Sequence, residues 1–91
     1  MRALKWSKKF KKDFKKVCGH RDFNEKTFLA VIERIQSDAP LPHIYKDHKL
    51  HGEFADCREC HIGHDILLIY SVREDEKVVY LLRIGSHSDL F

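Results

Sequence analysis

Two nearly continuous apolar segments in the second half of the chain constrain its fold more than any other feature. ILLIYSV spans 66–72 and VVYLLRI spans 78–84. Short apolar runs of this kind, bounded by turn residues, are typical of strands buried on both faces. We expect strands at 53–62, 65–72 and 77–84, with the second in the centre of an antiparallel sheet. The turns between them are predicted at 63–64 and 74–76.

The first half of the chain has a helical period instead. Residues 2–6 alternate enough to form a short first strand, and Ser7 is a suitable helix N-cap. Apolar residues then recur every three or four positions, which predicts a helix with one buried face. Gly19 is expected to close this helix in a left-handed conformation. The apolar positions are Trp6, Phe10, Phe14 and Val17.

A second helix is predicted to begin near Asp22, which has the spacing of a capping box with Glu25. The segment Ala39-Pro40-Leu41-Pro42 ends it, because proline cannot continue a helix. The expected fold is therefore α+β: an N-terminal strand and a two-helix hairpin packed on one face of an antiparallel sheet. The buried stripe of the second helix is Phe28, Val31, Ile32 and Ile35.

The composition is that of one small globular domain covering 1–91. The chain is 43% hydrophobic and 34% charged, which excludes a disordered protein. No stretch approaches the roughly 20 apolar residues of a membrane span, so no membrane partner is expected. Three cysteines and no secretory signal predict a cytoplasmic protein with free thiols.

Positive charge is concentrated at the N-terminus. Residues 1–16 hold eight Lys or Arg and one acid, a net charge of +7, whereas the remaining residues have a net charge of −4. This asymmetry indicates a polyanionic partner, although a basic helix that is merely solvated has the same pattern. The lysines free to contact a partner are Lys8, Lys9, Lys11, Lys12, Lys15 and Lys16.

The segment CRECHIGHD at 57–65 allows three interpretations, of which the first is haem attachment. Its first five residues match the CxxCH pattern of c-type haem proteins. On a strand, however, side chains alternate between faces, so Cys57 and Cys60 diverge. Haem attachment also requires export and a second axial ligand, and the sequence indicates neither.

The other two interpretations are a metal site and an acid–base site. A structural zinc site needs four convergent ligands, and the Cys and His pairs here overlap along one strand. An acid–base site needs only a few histidines and carboxylates on one groove. The candidates lie in the loop after the prolines, around the first β-turn and after the last strand. They are His48, His61, Asp65 and His87.

Three segments resemble the YafQ branch of the RelE-type toxins, which belong to bacterial toxin–antitoxin pairs. They are KDHKLHG at 46–52, RECHIGHD running into LLIY at 58–70, and RIGSHSDLF at 83–91. The lysine-rich first helix and LPHIY at 41–45 fit the same family. The resemblance implies a RelE-like fold and a ribosome-dependent mRNA endoribonuclease that needs no metal or other cofactor. It also implies a cognate antitoxin that holds the toxin inactive. Operator DNA would be bound only by the toxin–antitoxin complex.

The resemblance also assigns site residues. His48, His61, Asp65 and His87 fall on the catalytic positions of the family, Glu59 on an acidic position, and Phe91 on an active-site aromatic. This chain departs from the family at Ile66, where an aromatic often follows the aspartate. The codon preference of this protein is therefore expected to differ.

The expected chemistry is attack of a ribose 2′-OH on the adjacent phosphorus. One group accepts the 2′ proton and another protonates the leaving 5′-oxygen, roles that histidine fills near neutral pH. Our sequence hypothesis makes His48 the base and His87 the acid, with His61 and Asp65 orienting or sharing the protons, although the reverse assignment of base and acid is equally consistent. Lys46 and Arg83 are candidates to bind the phosphate, and Glu59 and Phe91 complete the predicted substrate site.

A non-catalytic nucleic-acid-binding or operon-repressing protein of the same fold is the alternative. It explains the basic N-terminus but gives no reason for the histidines and the aspartate. A metal or haem protein is a third class, which an absorption spectrum and a metal analysis would test.

Overall fold

A five-stranded sheet forms the frame of the structure, a computed structural model that describes residues 1–91. Two long helices cover one face of the sheet. No helix has the length and hydrophobicity that a membrane span requires. The elements in chain order are β1 (Ala3–Trp6), α1 (Lys8–Val17), α2 (Glu25–Gln36), β2 (His48–Lys49), β3 (Arg58–Gly63), β4 (Ile66–Arg73), β5 (Val78–Gly85) and α3 (His87–Leu90).

The strand order is β1-β5-β4-β3-β2, which confirms the α+β class and the central position of β4. Neighbours from β2 to β5 are antiparallel, as predicted. The first strand differs: β1 pairs parallel to β5, so the sheet is mixed. A parallel pair needs a long crossover connection, and here the two helices and three intervening strands provide it.

The core lies between the helices and one face of the sheet. Ile66, Leu68 and Tyr70 of β4 point into it, and each is at most 3% exposed. Leu67 and Ile69 of the same strand point to the opposite face and are also buried. The strand is therefore covered on both sides, as its continuous apolar sequence predicts.

The predicted apolar face of α1 forms an aromatic cluster with α2. Phe10 is fully buried and contacts Trp6 edge-on, with ring centroids 4.8 Å apart. Phe14 lies 5.2 Å from Phe28 of α2, which links the two helices. Ser7 caps α1 as expected, because its hydroxyl accepts a hydrogen bond from the backbone N–H of Phe10.

The predicted end of α1 and the predicted start of α2 both need correction. Gly19 is not left-handed; α1 instead ends in a right-handed turn in which the N–H of His20 donates to the carbonyl of Val17. The α2 cap is Asn24, whose side chain accepts from the N–H of Thr27. Asp22 does not cap the helix, because its backbone belongs to the preceding turn and its N–H donates to the ring of His20.

The second helix ends at Gln36, before the prolines. Asp38 adopts a left-handed conformation with φ of 57°, and the N–H of Ala39 returns to the carbonyl of Arg34. This termination satisfies helix-end carbonyls that would otherwise lack a partner. Pro40 therefore follows the stop and does not cause it.

The predicted strands at 65–72 and 77–84 are each confirmed within one residue, whereas the predicted strand at 53–62 begins late. Residues Gly52–Phe54 form a short 3-10 helix, so β3 starts only at Arg58. The sequence prediction also lacked β2, which has only two residues. Such a short edge strand has no recognisable period of its own.

Replacing Phe10 with alanine is expected to lower the free energy of unfolding by about 3–5 kcal/mol, because it leaves a cavity among packed rings. Leu29→Ala is the control, since Leu29 of α2 is 54% exposed. We expect that change to stay within about 0.5 kcal/mol. Urea denaturation of both variants measures the difference, and equal losses would contradict this description of the core.

Candidate functional site

The antiparallel order of the sheet brings three of the predicted catalytic residues to one end. The start of β4 lies beside the end of β5, where Leu67 pairs with Gly85. Asp65 immediately precedes β4 and His87 follows β5, so they meet. His61 joins them because it pairs with Leu67 from β3.

His87 and Asp65 form the tightest contact of this group. The Nδ1 of His87 donates to Oδ1 of Asp65 at 2.8 Å, and the backbone N–H of His87 donates to the same oxygen at 3.2 Å. These hydrogen bonds lower the pKa of Asp65, which therefore remains ionised near neutral pH. The bond at Nδ1 leaves Nε2 of His87 available to a substrate.

His48 reaches the same face from β2. It pairs with Glu59 across the sheet, and its Nδ1 donates to the carbonyl of Lys46 at 2.7 Å. Its Nε2 lies 3.5 Å from Oε1 of Glu59. Both ring nitrogens thus face an oxygen acceptor, which fixes the orientation of the ring.

Glu59 lies between two histidines. Its side chain is 8% exposed, and its Oε1 is 3.5 Å from His48 and 3.7 Å from Nε2 of His61. The sequence hypothesis placed Glu59 among the groups that bind substrate. A buried carboxylate between two imidazoles is instead suited to orienting them, since it would repel a phosphate.

His61 occupies the middle of the row. Its ring centroid is 6.4 Å from that of His48 and 5.9 Å from that of His87. Burial lowers the pKa of His61, and the positive charge of Lys46 and the neighbouring histidines lowers it further, against the opposing effect of Glu59. His61 is therefore neutral near pH 7, the form that accepts a proton.

Lys46 borders a groove beside this row. The groove has a volume of about 620 Å³ and runs from His61 and Asp65 towards the N-terminal end of α2. Lys46 is exposed and left-handed, with φ of 49°, and Asp65 is also left-handed, with φ of 60°. Lys46 is the exposed lysine that borders this groove, and it lies beside the histidines.

The structure does not bring Arg83 into the histidine row. Its guanidinium donates to both carboxylate oxygens of Asp13 on α1, at 2.6 and 3.1 Å. Asp13 also accepts from the backbone N–H of Ile84 at 3.2 Å, and the ion pair raises the pKa of Arg83. Arg83 therefore fastens α1 to β5, an arrangement that leaves its charge neutralised.

Phe91 lies at the end of the chain and is 65% exposed. Its ring meets that of Phe54 edge-on at 6.4 Å. Phe54 belongs to the short 3-10 helix before β3 and was not predicted as a site residue. Ser71, on the sheet face that carries the histidines, donates to the carbonyl of Asp56, so the loop that holds Phe54 lies against that face.

The predicted RNA-docking lysines are all exposed on α1. The Nζ of Lys16 lies 2.9 Å from Oδ1 of Asp89 on α3, so this lysine is partly neutralised. No ion pair involves the other five, which form an uncompensated basic surface. They are Lys8, Lys9, Lys11, Lys12 and Lys15.

The predicted divergence of the two cysteines of CRECHIGHD is confirmed. Cys60 is fully buried in the core on the helix side, whereas Glu59 and His61 point to the opposite face. Burial raises the pKa of Cys60 to about 12, so the thiol is neutral and unreactive. The Cys57–Cys60 pair therefore does not converge on a haem or a single metal ion.

The pH dependence of stability tests the environment of His61. Its pKa lies below the ordinary 6.5 in the folded chain, so the unfolded chain binds more protons as the pH falls through that value. We expect His61→Gln to lose less free energy of unfolding than the wild type between pH 7 and pH 5. The exposed His51→Gln should lose as much as the wild type, and equal slopes for all three proteins would contradict the lowered pKa.

Proteins that are similar to this chain in sequence and fold include toxins of two bacteria. The mRNA interferase toxin YafQ of Escherichia coli strain K12 is 34% identical over 91 residues, which cover 99% of this chain and 96% of the relative. The solved structure of a metal-bound toxin from Helicobacter pylori superposes with a TM-score of 0.91 at 41% identity, with both chains fully covered.

The toxin in a crystal structure of the DinJ–YafQ complex of Escherichia coli has a TM-score of 0.85 at 29% identity, covering 100% of this chain and 99% of that one. Residues 2–91 match the family described as the bacterial toxin of type II toxin–antitoxin system, YafQ. The chain therefore belongs to the YafQ family of type II toxins.

Proposed function

We propose that this protein is an mRNA endoribonuclease that inhibits translation as the toxin of a type II toxin–antitoxin system. The observation that carries the proposal is the row of His48, His61 and His87 on one sheet face, with a carboxylate beside each ring. The relative from Escherichia coli is named an mRNA interferase, which supports the same reaction class.

The proposed reaction transfers two protons and needs no metal or other cofactor. A base removes the proton of a ribose 2′-OH, the 2′-oxygen attacks phosphorus, and an acid protonates the departing 5′-oxygen. The products are a 2′,3′-cyclic phosphate and a 5′-hydroxyl. Each positioned proton transfer typically contributes roughly 10²–10⁴-fold to the rate.

Two observations support His61 as the base and His87 as the acid. His61 has a lowered pKa and is ready to accept a proton. His87 is bonded through Nδ1 to Asp65, which orients the ring and leaves Nε2 free to face the leaving 5′-oxygen. His48 was the base in the sequence hypothesis; both of its ring nitrogens already face oxygen acceptors, so it is a less available base than His61 and is proposed to stabilise the phosphorane instead.

Lys46 is the cation proposed to bind the scissile phosphate, because it lies beside His61 and is not paired with an acid. Arg83 is less suited to this role, since Asp13 already neutralises it. Phe91, which is largely exposed, is proposed to contact a base of the message. Stacking on an aromatic ring needs no particular base and is worth about 1–3 kcal/mol.

The basic surface of α1 is proposed to dock the toxin on the ribosome. Ribosomal RNA presents closely spaced phosphates, and each phosphate that a lysine neutralises adds salt-dependent affinity through counterion release. The lysines project away from the buried face of α1, as their exposure indicates. This surface would position the histidine row against the message without reading its sequence.

A cognate antitoxin is the proposed inhibitor, since the YafQ of Escherichia coli has been solved in complex with DinJ. Operator DNA would be bound by the toxin–antitoxin complex and not by the toxin alone. The proposed location is the cytoplasm, where ribosomes translate mRNA.

Replacing His87 with alanine is expected to reduce cleavage by at least about 10²-fold, because it removes the proposed acid. Primer extension on a defined message with purified ribosomes measures the cut. The exposed His51→Ala serves as the matched control, and circular dichroism verifies the fold of each variant. Undiminished cleavage by a folded His87→Ala would refute the mechanism, and no cleavage by the wild type would favour a non-catalytic nucleic-acid-binding protein.

Replacing Lys11 and Lys12 with glutamate is expected to lower the affinity for the ribosome and to make that affinity less dependent on the salt concentration. Each lost phosphate contact should reduce the slope of log affinity against log salt by about 0.7–0.9. The matched control reverses Lys26 and Lys77, which are exposed outside α1. Sedimentation with ribosomes at several salt concentrations measures both, and equal effects of the two double variants would argue against docking through α1.

A further inference from the structure

We propose that Asp47 is a positioning residue, held by Arg58 and Tyr70, that sets the location of His48 and Lys46 in the site. This inference rests on the proposed function, because it concerns side chains assigned to that reaction. None of the three residues was predicted as a site residue. The sequence signal was that all three lie inside segments that resemble the family, Asp47 in KDHKLHG and the other two at the ends of 58–70.

Three donors hold the carboxylate of Asp47. The Nη2 of Arg58 donates to Oδ2 at 2.8 Å, and its Nε donates to the two oxygens at 3.1 and 3.3 Å. The hydroxyl of Tyr70 donates to Oδ1 at 2.6 Å. A bidentate guanidinium–carboxylate pair fixes orientation as well as distance.

Both residues that donate to Asp47 lie on inner strands of the sheet. Tyr70 is on β4 and is only 3% exposed, and Arg58 begins β3. Burial and the bond to Asp47 raise the pKa of the Tyr70 hydroxyl, which therefore remains a donor throughout the working pH range. The bond to Asp47 likewise raises the pKa of Arg58.

Leu41 and Tyr45 of the segment that carries His48 pack against the core, but the segment has few other hydrogen bonds to the sheet. Its strand β2 has two residues and pairs with β3 only. The N–H groups of Tyr45 and Lys46 donate to carbonyls within the same segment, at Pro42 and His43. One further backbone bond joins Leu50 to Cys57. The side chain of Asp47 is therefore the hydrogen-bonded link from this segment to the central strand.

Because side chains alternate between the two faces of a sheet, the bond to Asp47 also positions its neighbours. Asp47 reaches towards Tyr70, which lies on the helix-covered face, so the next residue, His48, points to the opposite face beside Glu59. Lys46 precedes Asp47 and presents its carbonyl to the His48 ring. Fixing the Asp47 carboxylate thereby fixes both neighbours.

Two conservative variants test the proposal. Asp47→Asn removes the charge, and Tyr70→Phe removes one hydroxyl from an otherwise unchanged ring. Tyr80→Phe is the matched control, because its hydroxyl donates to Glu76 at 3.1 Å on an exposed surface of β5. Carbon–proton NMR spectra of the histidine rings report position, and single-turnover cleavage of ribosome-bound message reports rate.

We expect the ring signals of His48 to move in Asp47→Asn and Tyr70→Phe while those of His87 stay in place. Cleavage should fall about 10–100-fold, the size of effect that misplacing a catalytic group by an ångström can produce. In a His48→Ala background, Tyr70→Phe should cause little further loss, because the residue that it positions is already absent. Tyr80→Phe should match the wild type in both measurements.

Unmoved His48 signals in both variants, or wild-type cleavage rates in both, overturn the proposal. A further loss of the same size in the His48→Ala background also overturns it, since that would indicate general destabilisation. The NMR measurement does not depend on activity. If the wild type fails to cleave, the ring signals still decide whether Asp47 positions His48, so the two failures are distinguishable.

Discussion

The rest of the structure depends on the burial of β4 from both sides. Ile66, Leu68 and Tyr70 need a cover on one face, and Leu67 and Ile69 need another. The two long helices cover the first face. The 50–57 loop and the chain end lie on the second, as the contacts of Ser71 and of Phe54 indicate. Because these segments are short and irregular, they leave polar side chains of β3 partly accessible, and the histidine row occupies that opening.

Several carboxylates near this opening already have a basic side chain as a partner. Asp65 binds His87, Asp47 binds Arg58, and Asp13 binds Arg83. Glu59 lies between two imidazoles. Most lysines of α1, by contrast, have no acidic partner. The positive charge on this helix therefore gives one surface of the molecule a potential that favours a polyanion.

Local periodicity predicted β4, β5 and the buried face of α1, because burial imposes a repeat that neighbouring residues share. The places of His48, His61, Asp65 and His87 in the predicted loops and turns made them candidates for an acid–base site, and the family resemblance assigned them to catalytic positions. Neither source predicted the ion pair of Asp13 with Arg83 or the network of Asp47. These contacts join residues 70 and 23 positions apart, and such pairing has no local signature. The cap at Asn24 was mispredicted because Asp22 has equally good capping chemistry, and only the turn at His20 excludes it.

Lys46 and Asp65 occupy left-handed backbone positions, which glycine adopts without a steric penalty and which a lysine side chain disfavours. At both positions glycine, the residue that this backbone conformation favours, would delete a side chain of the proposed site. Selection for stability alone would thus move the sequence away from that site. Under the proposed function, a single substitution to glycine in either turn would leave the fold intact and remove a group that the reaction needs.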